Sequence, residues 1–111
     1  MSQQQQPKMS RFKKIGSTVY TSGVTGKPGD VPTQIRNVFE KLRAILQEAG
    51  TSFDKVVKVT IYLSDLSYRE QYLNSIWNEY FGNLESPPSR TTVEAGLGLE
   101  VFVEIEMVAA T

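Results

Sequence analysis

From Val56 to Leu63 the chain alternates, with Val57, Val59, Ile61 and Leu63 on one side and Lys58, Thr60 and Tyr62 on the other. A period of two marks a strand with one apolar face. The same pattern returns near the C-terminal end, where Val101, Val103, Ile105 and Met107 point one way and Phe102, Glu104, Glu106 and Val108 the other, predicting a strand over about 100–109. Two segments follow the helical period instead. Ile35, Val38, Phe39, Leu42, Ile45, Leu46 and Ala49 recur at three- and four-residue steps, with Pro32 at the entrance and Gly50 at the stop. Tyr68, Tyr72, Leu73, Ile76, Trp77, Tyr80 and Phe81 form a second stripe. Ser67 and Glu70 have the spacing of a capping box before it, and Gly82 follows it.

Shorter segments complete the order. Residues 11–15 and 18–22 read as two extended strands joined through a Gly16-Ser17 turn, the first an edge strand kept soluble by Arg11, Lys13 and Lys14. The stretch 21–30 contains Gly-Val-Thr-Gly-Lys, but its glycines stand too close together for a phosphate loop and proline follows the lysine, so it is expected to be a turn. The loop 83–89, stiffened by Pro87-Pro88, leads into a strand over 90–95, and Gly96 and Gly98 bend the chain into the last strand. The order strand, strand, helix, strand, helix, strand, strand implies an α+β mixed sheet with both helices on one face. Tyr62, Phe102 and Val108 would then line an uncovered face, which calls for a second copy of the chain.

At 111 residues the chain fits one domain, expected over 9–111, after a glutamine-rich polar leader, 1–8, too poor in apolar area to order itself. Net charge is zero, so neither nucleic acid nor an anionic membrane is expected as a partner. With no signal-peptide core and no apolar run of spanning length, a cytoplasmic location is expected. Cysteine and histidine are both absent, which leaves carboxylates, amines, guanidinium and hydroxyls to do any chemistry, and no metal site is expected. Three charges stand out because they sit in or at the mouth of apolar strands: Arg90, Glu104 and Glu106. Such charges are costly unless paired or used, a guanidinium grips carboxylates in bidentate fashion, and a glutamate can act as a base.

Several motifs together carry a resemblance. They are Val-Tyr-Thr-Ser-Gly at 19–23, Ala-Gly at 49–50, the run from Asp54 to Leu66, Trp-Asn-Glu-Tyr-Phe at 77–81, Pro-Ser-Arg-Thr-Thr-Val at 88–93 and Val-Glu-Ile-Glu at 103–106. In this order they resemble the Rid proteins, the reactive intermediate deaminases also called YjgF-like and formerly described as translation inhibitors or endoribonucleases. The resemblance implies a homotrimer of chorismate-mutase-like α+β subunits with clefts between them. It also implies hydrolysis of 2-imino acids, or their 2-aminoacrylate tautomers, to 2-keto acids and ammonia, without metal or organic cofactor.

By the same resemblance Arg90 holds the substrate carboxylate and Glu104 positions or activates the attacking water. Thr92 falls where the family often has cysteine and offers its backbone to the substrate; Gly23 and Asn74 line the cleft. Glu106 receives no role beyond an interface ion pair or hydrogen bond. The N-terminal segment lacks the Gly-Pro-Tyr type motif of many members, reading Lys8-Met9-Ser10-Arg11-Phe12, the loop after Gly23 is short, and Gly98-Leu99 replaces the usual Leu-Pro. These departures bear on substrate choice and rate. A non-catalytic binder or regulator using the same cleft for carboxylate metabolites is the alternative, whereas a ribonuclease is opposed by the lack of histidine and of any basic stripe.

Overall fold

In the computed structural model, which describes residues 7–111, one mixed sheet carries two helices on a single face. The leader expected over 1–8 falls, for residues 1–6, outside the described residues. The elements are β1 (Phe12–Ile15), β2 (Thr18–Thr21), β3 (Val24–Thr25), α1 (Val31–Glu48), β4 (Val56–Leu63), α2 (Asn74–Phe81), β5 (Ser89–Glu94) and β6 (Val103–Ala110). Strand order is β1-β2-β6-β4-β5, with β3 also paired to β6. The last strand is therefore inserted between β2 and β4 and runs antiparallel to both, while β5 lies parallel to β4 after the α2 crossover. Among the described residues no helix is long and apolar enough to cross a membrane.

The helical stripes and the strand alternation meet in one core. Ile35, Val38, Phe39, Leu42 and Leu46 of α1 pack with Ile76 and Phe81 of α2 on the inner face of the sheet, supplied by Val19, Val59, Ile61, Leu63, Val103, Ile105 and Met107. Asp30 starts α1 by accepting a hydrogen bond from the Thr33 amide at 3.0 Å, and the Thr33 side chain, then this amide, hold its carboxyl below the ordinary value. Gly50 ends it at φ 84°, where the Thr51 amide reaches back to Leu46 O at 2.9 Å and satisfies a terminal carbonyl. Buried Gln34 donates to Gly29 O and Glu100 O and accepts from the Phe102 amide, tying the two loops that flank the start of α1.

Four expectations need correction. The alternation in β4 breaks at a bulge between Val56 and Lys58, so Val56 enters the core and Val57 is left 55% exposed. The turn expected over 21–30 contains the short strand β3, which pairs Val24 with Ile105 and Thr25 with Glu104. No Ser67/Glu70 capping box forms. Asp65 instead accepts from both the Ser67 amide and hydroxyl, Glu70 accepts from Arg69, and a π-helical turn, Arg69–Leu73, precedes α2. Finally, β6 starts at Val103 and leaves Phe102 in the preceding loop, where its ring meets Tyr68 edge-on with centroids 6.2 Å apart. The outer face keeps Tyr62 and Val108, and adds Tyr20 and Val93, which are 47% and 38% exposed.

Candidate functional site

Arg90 belongs to β5, the open edge of the sheet, and stands level with Val59 on the helix-covered side. There its Nη2 donates to Asn74 Oδ1 at 2.8 Å, and its guanidinium carbon lies 5.1 Å from the centroid of the Trp77 ring. Asn74 is the first residue of α2, and its own amide reaches back five residues to Arg69 O, closing the π-helical turn. Wide turns of this kind recur at functional sites because they shift the side chain that follows. No carboxylate pairs with Arg90 among the described residues. Burial, then the like charge of Arg69, lower its proton affinity, with Glu70 opposing them. A guanidinium does not lose its proton in such a setting, so the charge is left uncompensated and a bound anion would relieve it.

The backbone beside Arg90 is also free. The Ala95 amide donates to Leu63 O at 2.9 Å, toward β4. Amides along a strand alternate sides, so those of Arg90, Thr92 and Glu94 face the open edge. Thr92 thus presents its backbone outward. Its hydroxyl does the reverse: Thr92 Oγ1 is buried without a hydrogen-bond partner. Such an orphan costs free energy that a methyl group would not. Thr92→Val is therefore expected to raise stability by about 1 kcal/mol in chemical denaturation, and a loss of stability would mean that the hydroxyl finds a partner after all.

Glu104, the other residue expected to act on the substrate, lies on the opposite face. It pairs in register with Tyr62 on β4 and with Thr25 on β3, and its neighbours Val103 and Ile105 point into the core. Gly23 lies against it: a Cβ at Gly23 would overlap Glu104 Oε2, so the carboxylate occupies space that any other residue would fill. Glu106, on the same face, accepts a hydrogen bond from Tyr62 Oη at 3.1 Å, and this bond raises the tyrosine's proton affinity. The expected site residues thus form two groups, Arg90 with Asn74 and Thr92, and Glu104 with Gly23. One protomer does not bring the groups together. Trp77, read from its spacing as core, proves to belong to the Arg90 group; nothing in its helical periodicity separates a core indole from one that also supports a cation.

The inserted last strand and the two helices on one face place the protein in the chorismate-mutase-like α+β class. A family model described as Endoribonuclease L-PSP matches residues 4–111. A RutC family protein of Pyrococcus abyssi is 40% identical over 109 residues, covering 90% of this chain and 84% of that protein. Escherichia coli TdcF, provisionally named a reactive intermediate deaminase, is 34% identical over 104 residues, covering 86% and 80% of the two chains. The crystal structure of RidA from an Antarctic Psychrobacter superposes with a TM-score of 0.87 at 32% identity, covering 95% of this chain and 89% of that one. The chain belongs to this RutC/Rid (YjgF) family.

Proposed function

We propose that the protein hydrolyses 2-imino acids, and the 2-aminoacrylate-type enamines that tautomerise to them, giving 2-keto acids and ammonia. The observation that carries this reading is the half-buried Arg90 guanidinium, held by Asn74, without a carboxylate partner among the described residues and set beside outward-facing amides. A substrate carboxylate fits that setting because a fork of N–H donors binds it in one plane. With the substrate anchored, the imine carbon is already electrophilic. Glu104 accepts a proton from water as the water oxygen bonds to that carbon and returns it to the imine nitrogen, giving a carbinolamine; the hydroxyl proton then passes to that nitrogen as the C–N bond breaks, releasing ammonia and leaving the keto group. No step calls for a nucleophilic side chain, in keeping with a chain that has neither cysteine nor histidine.

Arg90 and Glu104 lie on opposite faces of one sheet, so both act on one substrate only if different protomers supply them. That geometry, with the partly apolar outer face carrying Tyr20, Tyr62, Val93 and Val108, supports a homotrimer with clefts between subunits. The protein is expected to sediment as a trimer at micromolar concentration. Val108→Glu, which places a charge in the middle of that face, is expected to disperse it and remove turnover together. A fully active wild-type monomer would exclude the shared site. The deaminase reading itself is tested by keto-acid release from imines generated in situ. Binding of keto acids without any turnover would favour the regulatory alternative.

A further inference from the structure

The indole of Trp77 is wedged against the core on one side and meets a cation on the other. Its ring stands 4.3 Å from that of Phe81 and edge-on to Phe39 at 6.4 Å, so it has little freedom of its own. Asn74 and Trp77 are three residues apart on α2 and therefore share a face of the helix. Together they hold Arg90 at two places: Asn74 Oδ1 takes one terminal nitrogen at 2.8 Å, and the indole lies 5.1 Å from the guanidinium carbon. A single hydrogen bond fixes where that nitrogen sits but leaves the plane free to swing about it. An aromatic face restricts the swing, because its negative quadrupole draws the cation over the ring. Bidentate recognition depends on that plane as much as on position.

We propose that Trp77 is a positioning residue that sets the plane of the Arg90 guanidinium for carboxylate binding, an assignment that rests on the carboxylate-anchoring reading above. Trp77 is the only tryptophan in the chain, so its fluorescence reports on the guanidinium beside it without labelling. Pyruvate serves as the probe. Titration into the wild type is expected to change the emission, and Trp77→Leu, followed by calorimetry, to weaken binding about five- to tenfold, the range of a partly desolvated cation–π contact. Trp77→Phe should recover most of the loss. In steady-state assays the leucine variant should raise KM by more than it lowers kcat.

A measurement without ligand tests the geometry directly. The Nε–H proton of Arg90 should resonate upfield in the wild type through the ring current of Trp77, stay partly upfield in Trp77→Phe, and lose the shift in Trp77→Leu. An Arg90 proton at the same frequency in all three proteins overturns the proposal, as does a phenylalanine variant that loses as much affinity as the leucine one. Wild type that binds pyruvate and hydrolyses imines, with Trp77→Leu equal to it, overturns the positioning role alone. Wild type that neither binds pyruvate nor turns over imines overturns the carboxylate-anchoring reading, and this assignment with it.

Discussion

Arg90→Ala is expected to abolish imine hydrolysis and keto-acid binding while leaving the assembly intact. Among the described residues the guanidinium touches Asn74 and Trp77 but no carboxylate, so its removal breaks one hydrogen bond to an amide and one cation–π contact within the protomer. Those losses are small for the fold. For a bound substrate the loss is large, since a charge-assisted, partly desolvated pair contributes on the order of 2–5 kcal/mol, or about 30-fold or more in affinity. Arg90→Lys separates charge from geometry. Lysine keeps the cation, but a single ammonium on a flexible stem makes no fork and does not seat flat on an indole, so most of the rate should go as well. Calorimetric titration with pyruvate and a keto-acid release assay read the two effects. An Arg90→Ala variant that deaminates as fast as wild type ends the deaminase reading of this chain, whatever its family.

The sequence foretold the elements whose periodicity depends on a single buried face. The α1 stripe appears as read, as do the second stripe from Asn74 onward and the β6 alternation from Val103 onward, because each is enforced by one continuous core. The errors fall where local rules yield to tertiary constraints. The β4 bulge moves Val57 from the core to the surface, since one extra residue flips the alternation behind it. The capping box failed because Asp65, two residues upstream, reaches the Ser67 amide first. Strand β3 is two residues long and owes its existence to β6, more than seventy-five residues away, so no local window reveals it.

The candidate site divides in the same way. Arg90 and Glu104 stand out in the sequence because charges in apolar strands demand an account, and Asn74, named beside them, accepts a hydrogen bond from Arg90. Their separation onto opposite faces was not drawn out. It follows from alternation once the register is known: Arg90 is level with inward-facing Val59, and Glu104 with outward-facing Tyr62. Register between β5, β4 and β6 is a long-range quantity, and a reading along the chain has no direct measure of it.

Glu104→Gln is expected to lower turnover strongly while leaving pyruvate affinity nearly unchanged, because the amide keeps the shape of the side chain and removes the basic oxygen. Gly23→Ala tests the same carboxylate from the other side. An alanine Cβ at that position would overlap Glu104 Oε2, the far end of a flexible side chain, so the fold can accommodate it by turning the carboxylate away. Turnover should therefore fall with little change in thermal stability, since displacing a catalytic group by about 1 Å can cost on the order of 100-fold in rate. Gly26→Ala provides the contrast. Its Cβ would overlap the Gln34 carbonyl oxygen of α1, and backbone inside a packed helix does not move aside, so that variant should lose stability first. If Gly23→Ala and Glu104→Gln both turn over imines at the wild-type rate, Glu104 does not activate the water and the base must be sought elsewhere on the outer face, with Glu106 and Tyr62 the nearest candidates.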